Sequence, residues 1–357
     1  MSTSFHPLRV LHVERETDDA VALTLQPSEA DRDLFRFEPG QHLTLRTEID
    51  GAEFRRNYSL FVAPADGTLR VAIKRIAGGA FSSWAMTHLK PGDVIDSMIP
   101  RGHFTFGFEE SRRRNYVAFA AGSGITPILS LLKAGLGIER ESQFTLLYGN
   151  RTSSSIMFLE HIAALKDRYL GRLQVYHFLD AESDDVDLFN GRLDQARVST
   201  ILETLVDPAQ IDAAFICGPG PMMDTVEGAL RQAGVNPDAI MVERFSAGRP
   251  AGASAPVAAE RVAVDRAEMQ VVLDGRRRTV AFDPALGNIL DSARAAGLPA
   301  PYACKAGVCA TCRAKLVAGE VQMAANYGLS KAEVEAGYIL TCQASPLAGD
   351  VWVDYDG

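Results

Sequence analysis

No apolar run in this 357-residue chain reaches membrane-spanning length, and its opening residues, Met1–Phe5, carry no signal-peptide pattern. A cytoplasmic protein is expected on both counts. A basic excess is missing too. The chain has 36 Lys and Arg against 45 Asp and Glu, a formal net charge of -9, so the electrostatic footprint of a nucleic-acid binder is absent. Cysteine is scarce, with five residues, and four of them crowd toward the C-terminus at metal-ligand spacing, which argues against a disulfide framework. Internal repeats, paired Cys-x-His ligands and a convincing catalytic triad are also lacking. The seven histidines are scattered without ligand spacing.

What the chain does have is concentrated in those four cysteines. Cys304, Cys309, Cys312 and Cys342 follow the pattern C-x4-C-x2-C and then C-x29-C, the spacing of a plant-type 2Fe-2S ferredoxin. A tight loop delivers three thiolates and a distant segment brings the fourth. Gly307 permits a turn that a larger residue would resist. Four cysteines also suit zinc, but the 29-residue gap fits poorly with paired knuckles. A dithiol at Cys309 and Cys312 would leave Cys304 surplus.

Three blocks separate by texture. Residues 1–110 alternate in short strands (Leu8–Val13, Ala20–Gln26, His42–Ile49, Leu69–Arg75) punctuated by Pro39-Gly40, Asp50-Gly51 and Asp66-Gly67, which suggests an antiparallel β-barrel. Residues 111–246 alternate strand and helix, hence a parallel-sheet α/β domain. Residues 247–262, rich in Pro, Gly, Ala and Ser, read as a flexible linker. Residues 263–357 hold the four cysteines and a hairpin at Asp274-Gly275.

Each of the first two blocks carries loops suited to phosphates. Arg56-Asn57-Tyr58-Ser59 ends a strand, and Gly78-Gly79-Ala80-Phe81-Ser82-Ser83 follows about 20 residues later. Arg56 suits a pyrophosphate, Tyr58 a flavin ring face, Ser59 its redox nitrogen, and the glycines a close backbone approach to phosphate. Pro100–Phe104 is expected to close the barrel. In the second block, Ala121-Gly122-Ser123-Gly124-Ile125-Thr126-Pro127 follows an apolar strand and opens a helix, with Thr126 placed to cap it. Pro127 stands where the usual dinucleotide fingerprint has its third glycine. Cys217-Gly218-Pro219-Gly220 makes a second glycine turn after a later strand. Cys217 reads equally as a buried small hydrophobe or as a neighbour of the nicotinamide. After the second strand of this block there is no acidic residue but Asn150-Arg151-Thr152-Ser153-Ser154-Ser155. Arg151 and the hydroxyls, Ser153 among them, suit a 2′-phosphate, so NADPH is expected, with NADH as the alternative.

In this order the motifs R-x-Y-S, G-x-x-F-S, A-G-S-G-I-T-P and C-G-P-x-x-M resemble the ferredoxin–NADP reductase superfamily. The appended cysteine block resembles its oxygenase-reductase branch with a C-terminal ferredoxin. Phe37–Leu45, Ser142–Thr152, Val242–Phe245 and Tyr302–Cys312 narrow the resemblance to the reductases of phenylacetate degradation. It implies a multidomain chain: a flavin-binding β-barrel, a nucleotide-binding α/β domain and a β-grasp ferredoxin. FAD would be held by Arg56, Tyr58, Ser59, Ile73, Lys74, Gly79, Phe81 and Ser82. The pyridine nucleotide would be held by Gly122, Gly124, Thr126, Cys217 and Gly218. Phe245 would lie near the other flavin face and yield to nicotinamide, and the four cysteines would ligate the cluster. Tyr58, Ser59, Cys217 and Phe245 would thus flank the reacting rings. Ala310 stands where plant ferredoxins often have serine. The implied function is a converter of two-electron to one-electron transfer that feeds an oxygenase component of a multicomponent system. Ring or steroid oxygenases are alternative acceptors.

Charge refines this. Residues 263–357 carry nine basic against eleven acidic side chains, so the ferredoxin block lacks the strong acidity with which a free ferredoxin finds its reductase. Tethering supplies a high effective concentration instead.

Overall fold

The structure is a computed structural model covering residues 4–245 and 267–357. The segment 247–262, expected to be the linker, lies outside the described residues. Two compact units emerge, one holding His6–Phe54 and Tyr58–Phe245, the other Arg55–Asn57 with the C-terminal block.

The first unit opens with β1 (His6–Thr17), β2 (Ala20–Pro27), β3 (His42–Ile49), β4 (Ala52–Ser59), β5 (Leu69–Lys74) and β6 (Val94–Ser97). Their order is β4-β3-β6-β1-β2-β5, and a Leu60–Val71 bridge just after β4 meets β5, so the sheet closes on itself. Alternate residues point inward, and Leu8, Val10, Leu23, Leu43, Leu45, Val71 and Ile73 fill the barrel. Asp50 and Gly51, at φ 52° and 76°, make the β3–β4 turn in the left-handed geometry that matches strand twist. Helix α1 (Ala80–His88) sends Phe81 and Ala85 into the same core. The Pro100–Phe104 segment does return to the barrel. His42 and Arg101 exchange backbone hydrogen bonds of 2.8 and 3.0 Å. Gly40, at φ +92°, leaves room for the Phe104 carbonyl, which a Cβ would meet at 2.0 Å.

The α/β half of this unit runs β7 (Asn115–Ala121), α2 (Ile125–Ile138), β8 (Gln143–Asn150), α3 (Leu159–Arg168), β9 (Leu173–Leu179), α4 (Gln195–Thr204), β10 (Ala213–Cys217), α5 (Gly220–Gln232) and β11 (Ile240–Glu243). The parallel sheet has the order β11-β10-β7-β8-β9. Strand order therefore reverses between β7 and β10, and the crevice beyond their carboxyl ends is the topological switch point where such sheets bind ligands. Apolar residues line most of α2, from Ile125 to Leu136, because it is covered on several sides. Ser130, buried on α2, donates to the Val62 carbonyl at 2.6 Å and accepts from the Gly40 amide at 3.3 Å, tying the helix to the barrel loops.

The C-terminal unit has β12 (Glu268–Leu273), β13 (Arg276–Ala281), α6 (Ile289–Ala295), β14 (Arg313–Met323), α7 (Lys331–Glu335), β15 (Tyr338–Leu340) and β16 (Ala344–Asp354). Its sheet order is β13-β12-β16-β14-β15, with β12 and β16 parallel. The Asp274-Gly275 hairpin forms as expected, with both residues at positive φ. Ile289, Leu290 and Ala293 of α6 pack on Val271, Val351 and Val353 in a core of its own. Among the described residues no helix is long and apolar enough to cross a membrane.

Candidate functional site

At the end of β4, Ser59 is buried, and among the described residues its hydroxyl has no hydrogen-bond partner. A buried hydroxyl without a partner is costly, so this atom fits a ligand that accepts or donates there. Beside it the Tyr58 ring lies 5.6 Å from the Phe81 ring, with Tyr58 half-buried and Phe81 fully buried. The Gly78-Gly79 turn opens α1. Gly78 sits at φ +72°, and a Cβ on Gly79 would press on Ser82 Oγ at 2.8 Å. Ser82 is engaged locally: it accepts from the Ile76 amide at 3.1 Å and donates to the Gly79 carbonyl at 3.3 Å. Ile73 points into the barrel core, and the Lys74 ammonium pairs with Asp19 at 3.3 Å. Both side chains are thus already engaged within the barrel domain. Arg56 is exposed on β4. A helix end opened by two glycines, a ring platform and a buried hydroxyl all fit FAD.

At the switch point the two glycine turns touch. A Cβ on Gly124 would lie 2.1 Å from the Cys217 carbonyl oxygen, and one on Gly218 would lie 3.2 Å from the Ala121 amide nitrogen. Gly124 has ordinary φ (-62°), so the close approach of β10, not backbone freedom, explains its lack of a side chain. Gly122 does need freedom, at φ +53°. Thr126 departs from expectation. The helix is entered through a short 3-10 turn at Gly122–Gly124, and Thr126 donates its hydroxyl to the Ser123 carbonyl at 3.0 Å instead of capping amides. The Thr126 side chain thus leaves the helix-opening amides uncapped, although the Ile125 amide already donates to the Gly122 and Ser123 carbonyls. Cys217 is wholly buried, and burial, with Glu243 adding to it, pushes its thiol well above the ordinary range. It therefore stands at the carboxyl end of β10 as a protonated, neutral thiol. Phe245 packs half-buried against the core that includes Cys217.

The polar turn after β8 is already hydrogen-bonded. Ser155 accepts from the Thr152 amide (3.0 Å) and donates to its carbonyl (2.8 Å), while Thr152 and Ser154 share a bond of 3.0 Å. Ser153 gives its amide and hydroxyl to the two carboxylate oxygens of Glu182, at 2.9 and 3.2 Å. Arg151 remains exposed.

In the C-terminal unit the four cysteines form two pairs. Cys304 hydrogen-bonds Cys309, and this contact pulls the Cys309 thiol down to about 5; Cys312 does the same for Cys342, lowering it from the ordinary range. In each pair the contact favours the charged form of one sulfur. Two ligands for each of two positions is what a two-iron cluster requires. No three of the described His, Cys, Asp and Glu side chains converge as a site for a single ion. Lys305, Gly307 and Ala310 all take positive φ (52°, 74° and 50°), which wraps the loop tightly. The Ala306 amide donates to Cys304 Sγ at 3.3 Å, and Thr311 Oγ1 lies 3.2 Å from Cys309 Sγ. Thr311 thereby contributes a hydroxyl near sulfur one position beyond Ala310, where plant ferredoxins carry theirs. Gly328 gives the loop space, since a Cβ there would meet the Val308 carbonyl at 2.5 Å.

Sequence reasoning passes over the residues that join the two halves of this ligand set. Thr341 donates to the Cys312 carbonyl at 2.9 Å and accepts from Tyr355 at 2.9 Å, both buried. Gln343 Nε2 donates to the carbonyls of Lys305 and Cys342, each at 3.0 Å, and reaches Cys342 Sγ at 3.6 Å. The Thr341–Cys312, Thr341–Tyr355 and Gln343–Lys305 contacts span residues distant in sequence, so no local pattern announces them. A cavity of about 510 Å³ opens against the Lys133–Ile138 end of α2, opposite its glycine-loop end, and includes none of the candidate site residues.

Three families match in chain order. An oxidoreductase FAD-binding domain covers residues 7–106, an oxidoreductase NAD-binding domain 119–228 and a 2Fe-2S iron-sulfur cluster binding domain 271–347. The 2Fe-2S match, with the paired thiols, replaces the zinc alternative. Over 354 residues the chain is 44% identical to a component of the 1,2-phenylacetyl-CoA epoxidase of Escherichia coli, covering 99% of this chain and 98% of that one. It is 33% identical to the ferredoxin reductase component of 3-ketosteroid-9-alpha-monooxygenase from Rhodococcus rhodochrous, covering 98% and 96%. Among solved structures, phthalate dioxygenase reductase shares the architecture (TM-score 0.61, 22% identity, 98% of each chain). So does an intact type IV self-sufficient cytochrome P450 monooxygenase, with TM-score 0.72, 24% identity, and 98% of this chain but 41% of that one. From these matches, the chain belongs to the NAD(P)H-dependent flavin and iron–sulfur reductases of multicomponent oxygenases, the family that includes this component of phenylacetyl-CoA epoxidase.

Proposed function

We propose that this reductase delivers electrons from a reduced pyridine nucleotide to the oxygenase component of a phenylacetyl-CoA epoxidase. The observation that carries the electron-outlet reading is the gathering of the Cys304–Cys312 loop and Cys342 through the Thr341 and Gln343 hydrogen bonds, within the stretch that matches a 2Fe-2S cluster binding domain. The acceptor is inferred from the full-length relative at 44% identity; the 33% relative supports a steroid monooxygenase as the second reading.

When bound, the nicotinamide supplies a hydride, the flavin parts the electron pair, and the cluster carries single electrons onward. The chain's own work is orientation and charge. Tyr58 and Phe245 would bracket the flavin, and Ser59 would bond its redox nitrogen. Arg56 and the Gly79–Ser82 turn would hold the pyrophosphate of FAD, with Ile73 and Lys74 contributing backbone. Gly122, Gly124 and Gly218 would admit the nucleotide, with Cys217 as an inert wall that keeps water from the reacting face. The four thiolates would hold the cluster, with Cys304 the most exposed of them. Both NADH and NADPH fit the nucleotide domain, and Arg151 is the group that favours NADPH. A cytoplasmic location follows for thiols that must remain reduced to bind iron.

Anaerobic titration of the full chain tests this. Flavin and cluster absorbance should bleach in sequence on adding NADPH or NADH, and reconstitution should support epoxidation by the phenylacetyl-CoA oxygenase component. A chain whose cluster stays oxidised while its flavin is reduced would sink the proposed route. Turnover with a steroid oxygenase but not the epoxidase would move the acceptor to the second reading.

A further inference from the structure

The cavity of about 510 Å³ at the far end of α2 contains none of the residues assigned to flavin, nucleotide or cluster. Its walls are the loop before β3, the loop after β4, the stretch that leads into β7, and α2 itself. That volume suits a small organic molecule. Phe106 and Phe108 line it, half-buried, with ring centroids 5.1 Å apart. The fully buried Tyr116 backs both rings edge-on, at 5.5 and 5.7 Å, so the platform they make is held in place. Against this apolar wall stand two polar groups without partners. Lys133 is half-buried, and among the described residues its ammonium has no hydrogen bond or ion pair, only the Phe61 ring centroid at 5.6 Å. Asp66 acts on it only from a distance, and the Asp66 carboxylate is already taken by the Ala63 amide at 3.0 Å. Burial, with Arg70 acting the same way, holds the Lys133 ammonium below the ordinary lysine range. The Thr105 hydroxyl, also half-buried on the cavity wall, has no partner among the described residues either.

We propose that this cavity is a binding site for a small monocarboxylate with an apolar, ring-bearing body. The carboxylate pairs with Lys133 and accepts from Thr105, and the ring lies on Phe106 and Phe108. The ligand thereby supplies the counter-ion that the fold withholds from Lys133, in a setting dry enough for the pair to count. The same charge disfavours a cationic ligand. Glu38, exposed on the lining, repels a second negative charge, so a monoanion is preferred to a dianion. The nucleotide turn opens α2 at Ile125 and the cavity begins at Lys133, about 12 Å further along the helix. The two sites therefore do not overlap, and both can be filled at once.

Calorimetric titration of the full-length protein, loaded with FAD and cluster, tests this with phenylbutyrate and its neutral counterpart phenylbutanol. The acid should bind about tenfold or more tighter than the alcohol, with or without saturating ADP. Lys133→Met keeps an apolar stem and removes the charge, so the acid should lose about tenfold in affinity while the alcohol is unchanged. Gly137 lies on the lining, and no atom stands within 4 Å of the place its Cβ would take. Gly137→Trp should therefore fill the cavity from an exposed helix position and abolish binding of both probes, with FAD content and melting temperature as in wild type. Absence of acid binding to the wild-type protein, equal affinity for acid and alcohol, competition by ADP, or full acid affinity in Gly137→Trp each overturns the inference. Should Lys133→Met fail to fold, the acid-to-alcohol ratio in the wild type and the Gly137→Trp titration still decide it.

Discussion

Gln343 touches both halves of the cysteine set, the loop through Lys305 and the lone ligand segment through Cys342. A donor directed at a ligating sulfur stabilises the extra negative charge of the reduced cluster and so raises its potential. Replacing Gln343 by Leu removes that donor at similar volume. The midpoint potential of the cluster should fall by about 40 mV, the one-electron equivalent of a hydrogen bond worth about 1 kcal/mol. Spectroelectrochemical titration measures this directly. An unchanged potential with an intact cluster would show that Gln343 acts only as a strut between Lys305 and Cys342. The signal for this role was invisible in the sequence, where Gln343 is one polar residue after a cysteine. The cysteines themselves were legible because iron chemistry imposes a spacing, whereas the partners of sulfur are chosen by three-dimensional proximity. Ser153 teaches the same lesson: its hydroxyl-rich turn looked open to phosphate, and its partner Glu182 lies 29 residues away.

Elements were legible where one period dominated. Strands β9 and β10 and the hairpin at Asp274-Gly275 follow local pattern and turn chemistry. Strands β14 and β16 did not announce themselves. Arg313–Met323 exposes successive residues on both faces, and its pairing with β16 slips at Leu316, Ala318 and Glu320, so no alternation survives. The first half of β16 contains Pro346 and Gly349, which read as loop. Helix α4 buries only Val198, Ile201 and Leu202, too few for a strong 3.6-residue signal. At the switch point the elements themselves make a prediction. The turn after β7 and the turn after β10 interlock with no space for a methyl group at Gly124. Gly124→Ala should therefore push the turns apart, costing roughly 1–3 kcal/mol of stability by overpacking and raising KM for the nucleotide. FAD content should be unaffected, because the barrel core shares no residue with that contact. Thermal melts and nucleotide titrations check this, and a variant with wild-type KM would remove the interlock from the binding account.

At the scale of the whole molecule, the cores divide the chemistry. The barrel and the parallel sheet bury their own residues between Leu8 and Cys217, together with Met223–Val235, and the C-terminal unit buries another set from Ala267 to Tyr355 with none in common. Damage confined to one core should leave the other folded, since distant sites without shared partners act independently. Cys309 makes this testable: it is buried in the cluster loop and pairs with Cys304. Cys309→Ala should abolish cluster incorporation, visible as loss of the iron–sulfur absorbance and of the reduced-state paramagnetic signal. Intake should survive, with nucleotide-dependent ferricyanide reduction, which draws directly on the flavin, remaining within about twofold of wild type. Electron delivery to the oxygenase should fall by about two orders of magnitude or more, because the single-electron outlet is gone while the two-electron inlet still works. Parallel loss of both activities would mean that the two units fold as one cooperative body, and retention of oxygenase-coupled turnover would mean that electrons leave from the flavin without passing the cysteines.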